Sequence, residues 1–298
     1  MLGAALAAAL PAWAAAPRLQ VVASFSILAD MVRQIGGDAV EVASLVGPDG
    51  DAHVFEPTPQ HARALQQARV LVVNGLGFEG WMPRLKKSAG FKGLEVVASR
   101  GVKPRHFAHA AHEHGRHRHH GDEHDPHAWQ NVKNAVVYAG NIADGLAQAD
   151  PARAAHYRAR GADYAARLSA LDARIRQTLA ALPAGRRSVV TTHDAFGYYA
   201  DAYGLRFVPA RGLSTESEPS ARELAALIEQ VRRERIPAIF VENIADPRLL
   251  EQLARETGAV IGGQLYSDAL SPPGGPAATY AEMMEANTAA LAQALAAR

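Results

Sequence analysis

Between Pro151 and Pro183 the chain carries one uninterrupted helical period. Tyr157, Tyr164, Leu168, Leu171, Ile175 and Leu179 mark a single apolar stripe at three- and four-residue steps, with one proline at its start and another just past its end. A helix of about 30 residues is far longer than the three or four turns usual in a globular core. It predicts a rigid rod, and what flanks the rod decides what it joins.

The two flanks read alike. In each, short β-branched runs alternate with helical stretches, the pattern of parallel sheets built from crossover units. Strands are predicted at residues 20–26, 40–46, 70–74 and 94–98, with helices near 27–35, 59–67 and 79–88 between them. Beyond the rod, strands at 188–192, 206–209, 238–242 and 260–266 alternate with helices near 195–203, 220–235 and 247–256, and an amphipathic helix at 277–296 closes the chain. The predicted fold class is α/β: two lobes with parallel-type sheets, joined by one long spine helix, with a cleft between them. The boundaries expected are 17–149 for the N-terminal lobe, 150–183 for the spine and 184–298 for the C-terminal lobe.

Composition supports this size and narrows the chemistry. The 298 residues, 48% of them hydrophobic, suffice for about two domains with cores of their own. The 31 basic and 30 acidic residues nearly cancel and form no basic block, which argues against nucleic acid as a partner. There is no cysteine, which excludes disulfides, thiolate zinc fingers, iron–sulfur clusters and cysteine nucleophiles. No apolar run reaches the ~20 residues that span a bilayer. Residues 1–16, MLGAALAAALPAWAAA, form an apolar run ending in small residues, with an A-x-A site at Ala12-Trp13-Ala14. That is the pattern of a secretory signal peptide and implies export to the periplasm. No basic residue precedes the run, so the true signal is expected to start upstream of Met1.

Histidine is the anomaly: there are 13, and nine fall between His106 and His127. Two others, with one aspartate, stand where open α/β sheets bind ligands, beyond the carboxyl ends of strands. His53 lies in the loop after the second strand, His193 ends the first strand of the second lobe, and Asp268 follows the last strand of that lobe. His127 opens the helix expected after the long histidine-rich loop. Each alone says little, since a lone histidine is usually a surface residue and an aspartate after a strand is usually a cap. Together they offer three imidazoles and one carboxylate across an interlobe cleft, a set suited to tetrahedral zinc. His61 and His156 lie on predicted helices without such a context and read as solvated surface residues.

The segments DAHVFEP, DPHAW, TTHDAFGYYADAYGL and SDAL occur in that order, with GLSTESEPSARELAALIEQVRRERIPAIFVEN between the last two. In this the chain resembles the metal-binding periplasmic solute-binding proteins of ABC importers that handle zinc, manganese and iron, from about Gln20 to Leu295. The resemblance implies two α/β lobes bridged by a helix with metal at their interface, and His53, His127, His193 and Asp268 as its ligands. It also implies a monomer that serves an inner-membrane ABC permease, with a periplasmic zinc chaperone as a possible further partner. Ala52 stands where the first motif usually has proline. The cysteine pair of the enteric zinc branch is absent, whereas VVNGLGFEGW at residues 72–81 resembles another zinc-binding branch.

Manganese members of that family usually carry glutamate where this chain has His193, and manganese prefers oxygen-rich sites whereas imidazoles suit zinc. Zn2+ is therefore the expected cargo, with manganese or iron as the alternative. Affinity should fall as pH drops through the imidazole range near ~6.5. Residues 103–124 read KPRHFAHAAHEHGRHRHHGDEH, with neither helical nor strand period. His112, His114, His117, His119, His120 and His124 are expected to hold additional, weaker metal and to pass it inward. Two other classes compete. A zinc hydrolase would use the same donors, but no H-E-x-x-H is present and no glutamate neighbours a ligand in sequence. A periplasmic zinc chaperone would share the fold without a permease. No enzyme is expected.

Overall fold

The structure is a computed structural model that describes residues 17–106, 124–212, 215 and 218–296. Residues 1–16, read from sequence as a signal peptide, and the loop positions His112, His114, His117, His119 and His120 lie outside the described residues.

In the first lobe β1 (Leu19–Phe25), β2 (Val40–Val46), β3 (Val70–Val73) and β4 (Leu94–Val97) form a parallel sheet in the order β2-β1-β3-β4. Helices α1 (Ser26–Gly36), α2 (Pro59–Gln67) and α3 (Met82–Ala89) make the crossovers. In the second lobe β7 (Ser188–Thr191), β8 (Arg206–Pro209), β9 (Ala238–Glu242) and β10 (Val260–Leu265) pair in parallel as β10-β9-β7-β8. Helices α6 (Gly197–Tyr203), α7 (Ala221–Glu234) and α8 (Arg248–Thr257) connect them. Counted within each lobe, both sheets have the strand order 2-1-3-4, so the two halves repeat one topology. The central strand β3, VLVV, is wholly buried, whereas the edge strand β10 leaves Val260 and Ile261 exposed.

The rod is present as α5 (Ala154–Ala180), 27 residues long, preceded by a 3₁₀ turn at Pro151–Arg153. All six residues of the predicted stripe are buried. Ahead of it, α4 (Val132–Ala149) folds back along α5, and the contact is close. A Cβ added to Gly161 would stand 2.5 Å from the Ala143 Cβ. The closing helix α9 (Tyr280–Leu295) buries Met283, Met284, Asn287, Leu291 and Leu295 against β10 and α5. One hydrophobic core runs through both lobes and the spine, from Phe25 and Trp129 to Phe196 and Phe240. A satellite core of Val190, Ile239, Leu227, Val231, Leu250 and Leu253 lies under α7 and α8.

Three local expectations are corrected. Residues 79–81 are not helical: α3 starts at Met82, with Pro83 in its first turn. Glu79 instead folds into the core and accepts hydrogen bonds from Ser24 Oγ at 2.7 Å and from the Asn74 and Gly75 amides at 2.6 and 3.2 Å. Gly75, Leu76 and Gly77 all take positive φ there, making a turn tight enough for one carboxylate to gather its amides. His127 does not open a helix: a 3₁₀ turn follows it, and α4 begins five residues on, capped by the Asn131 side chain. His61 is more than a solvated residue, since its Nδ1 accepts the Thr58 amide at 3.0 Å and completes the cap of α2. His156 is exposed, as expected.

Candidate metal centre

The four predicted residues meet between the lobes. One ligating atom from each of His53, His127, His193 and Asp268 lies within 4.8 Å of all the others. His53 and His193 each place Nε2 3.1 Å from Asp268 Oδ2, while His127 Nε2 is 3.4 Å from His53 Nε2 and 3.6 Å from Asp268 Oδ1. His127, His193 and Asp268 are fully buried, and the His53 side chain keeps 11% of its surface exposed.

The strand ends account for this convergence. His193 and Asp268 follow β7 and β10 by two and three residues, at the carboxyl edge of one sheet. His53 hangs from the loop after β2, where its amide donates to Asp51 Oδ1 at 2.8 Å and the Trp81 indole N–H holds the Ala52 carbonyl at 3.0 Å. Ala52 is itself buried, so the loop keeps its place without the proline usual in this motif. His127 follows β6 (His124–Asp125), which pairs with β5 (Arg105–His106). The site is roofed from below by Phe78, whose ring lies 5.2 Å from His53 and 6.0 Å from His127.

Two carboxylates behind the imidazoles set their orientation. Asp125 Oδ1 lies 2.8 Å from His127 Nδ1 and also accepts the His127 amide at 3.0 Å. Glu242 Oε2 lies 2.6 Å from His193 Nδ1, close but outside hydrogen-bond alignment, and Oε1 accepts the His193 amide at 3.0 Å. With Nδ1 facing a carboxylate, Nε2 is the nitrogen that each ring turns toward the site, the one that would give its electron pair to a metal. Glu242 had a signal in sequence: it ends β9 at the same edge that singles out His193. The register pairing Val189 with Ala238 and Val190 with Ile239, continued along both strands, sets Glu242 beside His193.

Burial and neighbouring charges act in opposite directions on His193 and Asp268. Burial alone depresses the His193 imidazole, but Glu242 and Asp268 on its two sides outweigh it and hold the ring well above the usual imidazole range. Burial pushes the Asp268 carboxyl up, and His127 and His193 overcome that to hold it well below the usual carboxylate range. Asp268 Oδ1 is buried and has no hydrogen-bond partner among the described residues. Three inward nitrogens and an unsatisfied carboxylate oxygen fit a divalent ion of the zinc class.

The model of the periplasmic zinc-uptake complex component A family, ZnuA, matches residues 21–294. The chain belongs to the ZnuA family. Within it, the iron-binding protein YfeA of Yersinia pestis is 32% identical over 90% of this chain and 84% of that protein. The manganese ABC transporter substrate-binding lipoprotein PsaA of Streptococcus pneumoniae is 29% identical over 93% of this chain and 89% of that protein. The periplasmic zinc-binding protein TroA of Treponema pallidum shares the fold with a TM-score of 0.86 at 30% identity, covering 94% of this chain and 100% of that chain. As a ZnuA-family member the chain is a substrate-binding component of the zinc/manganese type of ABC importer, with the two-lobed, spine-bridged fold of that group.

Of the predicted loop histidines only His124 is described. It is half-buried in β6, its ring 4.7 Å from that of His106 across the ladder, and it is not part of the four-residue cluster.

Proposed function

We propose that this protein captures Zn2+ in the periplasm and delivers it to an inner-membrane ABC permease, with His53, His127, His193 and Asp268 as the ligands. The observation that carries the reading is the donor set: three imidazole Nε2 atoms and one carboxylate oxygen converge within 4.8 Å, two of the rings aimed by buried carboxylates. Nitrogen-rich donor sets suit zinc over manganese, and the absence of thiolate suits a site that must release its cargo. The hydrolytic reading lacks a base, since the carboxylates nearest the imidazoles, Asp125 and Glu242, are engaged with ring Nδ1 atoms and backbone amides. The loop histidines supply weaker sites that collect metal and pass it on.

Manganese or iron is the second reading. Asp268 presents both oxygens to the cluster, so bidentate binding would give the fifth donor that manganese favours. Calorimetric titration of the purified, metal-stripped protein decides between them. Zinc should bind with one tight site at least about tenfold stronger than manganese, and His193→Ala should abolish that site. Tighter manganese binding overturns the zinc assignment, and unchanged affinity in the variant overturns the ligand assignment.

A further inference from the structure

The four cluster residues are not equally held. Asp125 buttresses His127, Glu242 buttresses His193, and Asp268 is buried between imidazoles. His53 is different. Its Nδ1 has no hydrogen-bond partner among the described residues, and its side chain alone of the four reaches solvent. It is placed by its backbone: Asp51 accepts its amide, and Trp81 holds the carbonyl of Ala52 just before it. Whatever moves this loop moves one ligand out of four and leaves the other three in place.

Trp81 has a second face. With Phe55, whose ring is 4.7 Å away, it lies in a surface groove of about 730 Å³ between α2 and α3. The groove wall continues from the metal loop itself, through Phe55, Glu56 and Pro57 into α2. Arg63 on α2 and Arg84 on α3 stand on its opposite sides, both exposed. Neither has an ion-pair or hydrogen-bond partner among the described residues, so both guanidinium groups are available to a ligand of the groove. Glu56 is the one acidic residue of the lining. An apolar, aromatic floor between two free guanidinium groups suits an extended segment with carboxylates spaced about an apolar side chain.

We propose that this groove docks an acidic, extended segment of the importer's membrane component, and that its occupation is transmitted through Trp81 to the loop that carries His53. The inference rests on the importer reading above and names the surface and chemistry of its partner. Docking and metal release are thereby linked on one lobe. The segment seats against the indole, the indole holds the Ala52 carbonyl, and His53 is the least anchored ligand.

The test uses the importer's permease and ATPase in lipid nanodiscs, with the zinc-loaded full chain as the probe. Arg63→Glu with Arg84→Glu should weaken binding to the nanodisc complex by about tenfold or more and flatten its salt dependence. Zinc affinity in solution should stay within about twofold of the unaltered protein, because neither arginine touches the site. The same double reversal at Arg158 and Arg174 on α5, both exposed, should leave binding unchanged. Trp81→Phe keeps an aromatic side chain but removes the donor to Ala52, and should release zinc to a chelator several-fold faster while circular dichroism shows the fold retained, at some cost in thermal stability. Unchanged binding by the Arg63/Arg84 variant, or an equal loss in the α5 control, overturns the docking surface. An unchanged release rate in Trp81→Phe overturns the link to His53. If the unaltered protein does not bind the complex at all, the importer reading itself falls, and the docking surface with it.

Discussion

At the scale of single residues, the site is built on pairs. His193 sits between Glu242 and Asp268, and its charge balance makes metal capture a proton exchange. In the metal-free protein His193 titrates above its ordinary value of 6.5, so its contribution to stability is complete below that pH and is lost as pH rises through the folded value. Asp268 titrates below its ordinary 3.8, so its contribution is complete above that pH and is lost as pH falls further. The metal-free protein should therefore melt highest in weakly acidic buffer, which a series of thermal scans checks. On the proposed assignment zinc displaces the His193 proton, so affinity should go on rising with pH beyond the imidazole range expected from sequence. Titrations in buffers of different ionisation enthalpy should show a proton released per zinc at neutral pH. Glu242→Gln keeps the shape and removes the charge, and should weaken zinc about 10–100-fold in competition with a chelator. The four clustered residues were legible because strand ends are legible. Glu242 was harder to see, because its role depends on strand register and a side chain that crosses to the neighbouring strand.

At the scale of elements, periodicity performed well where one face meets a core and failed where tertiary partners intervene. The α5 stripe is buried residue for residue. Its closest approach to α4 is at Gly161, where a Cβ would overlap Ala143. Gly161→Val should cost about 1–3 kcal/mol by forcing the helices apart, measured by urea unfolding. Glu79 shows the opposite case: a helix-favouring residue is taken out of α3 because three buried donors need its carboxylate. At the neck of the histidine-rich segment, His106 and His124 face each other directly in the β5–β6 ladder. Replacing residues 107–123 by an Asn-Gly turn matches that pairing. Equilibrium dialysis should then show the weak additional zinc lost and one tight site kept.

At the scale of the whole molecule, the lobes are stitched beneath the site. The Trp129 indole and the Gln130 amide both donate to the Ser267 carbonyl, at 2.9 and 2.7 Å. Ser26 Oγ accepts the Leu270 amide at 3.0 Å, and Tyr280 reaches across to Asp30 and to the Trp129 carbonyl at 2.9 and 2.6 Å. With one core continuous through both lobes, wide opening about the spine would break buried hydrogen bonds and expose apolar surface. The radius of gyration from small-angle scattering should therefore change by less than about 1 Å on zinc binding, with the change confined to the His53 loop. The amino-acid sequence alone determined the rod, the two repeated α/β units and the four residues at their edges, because period, strand patterning and residue type are local properties of the chain. Only the tertiary structure decided that His53 and Asp268, 215 positions apart, stand 3.1 Å from each other. It alone decided which carboxylates aim the imidazoles and which ligand is left loosely held. Those facts depend on how two sheets meet across a helix, and no local pattern encodes the angle of that meeting.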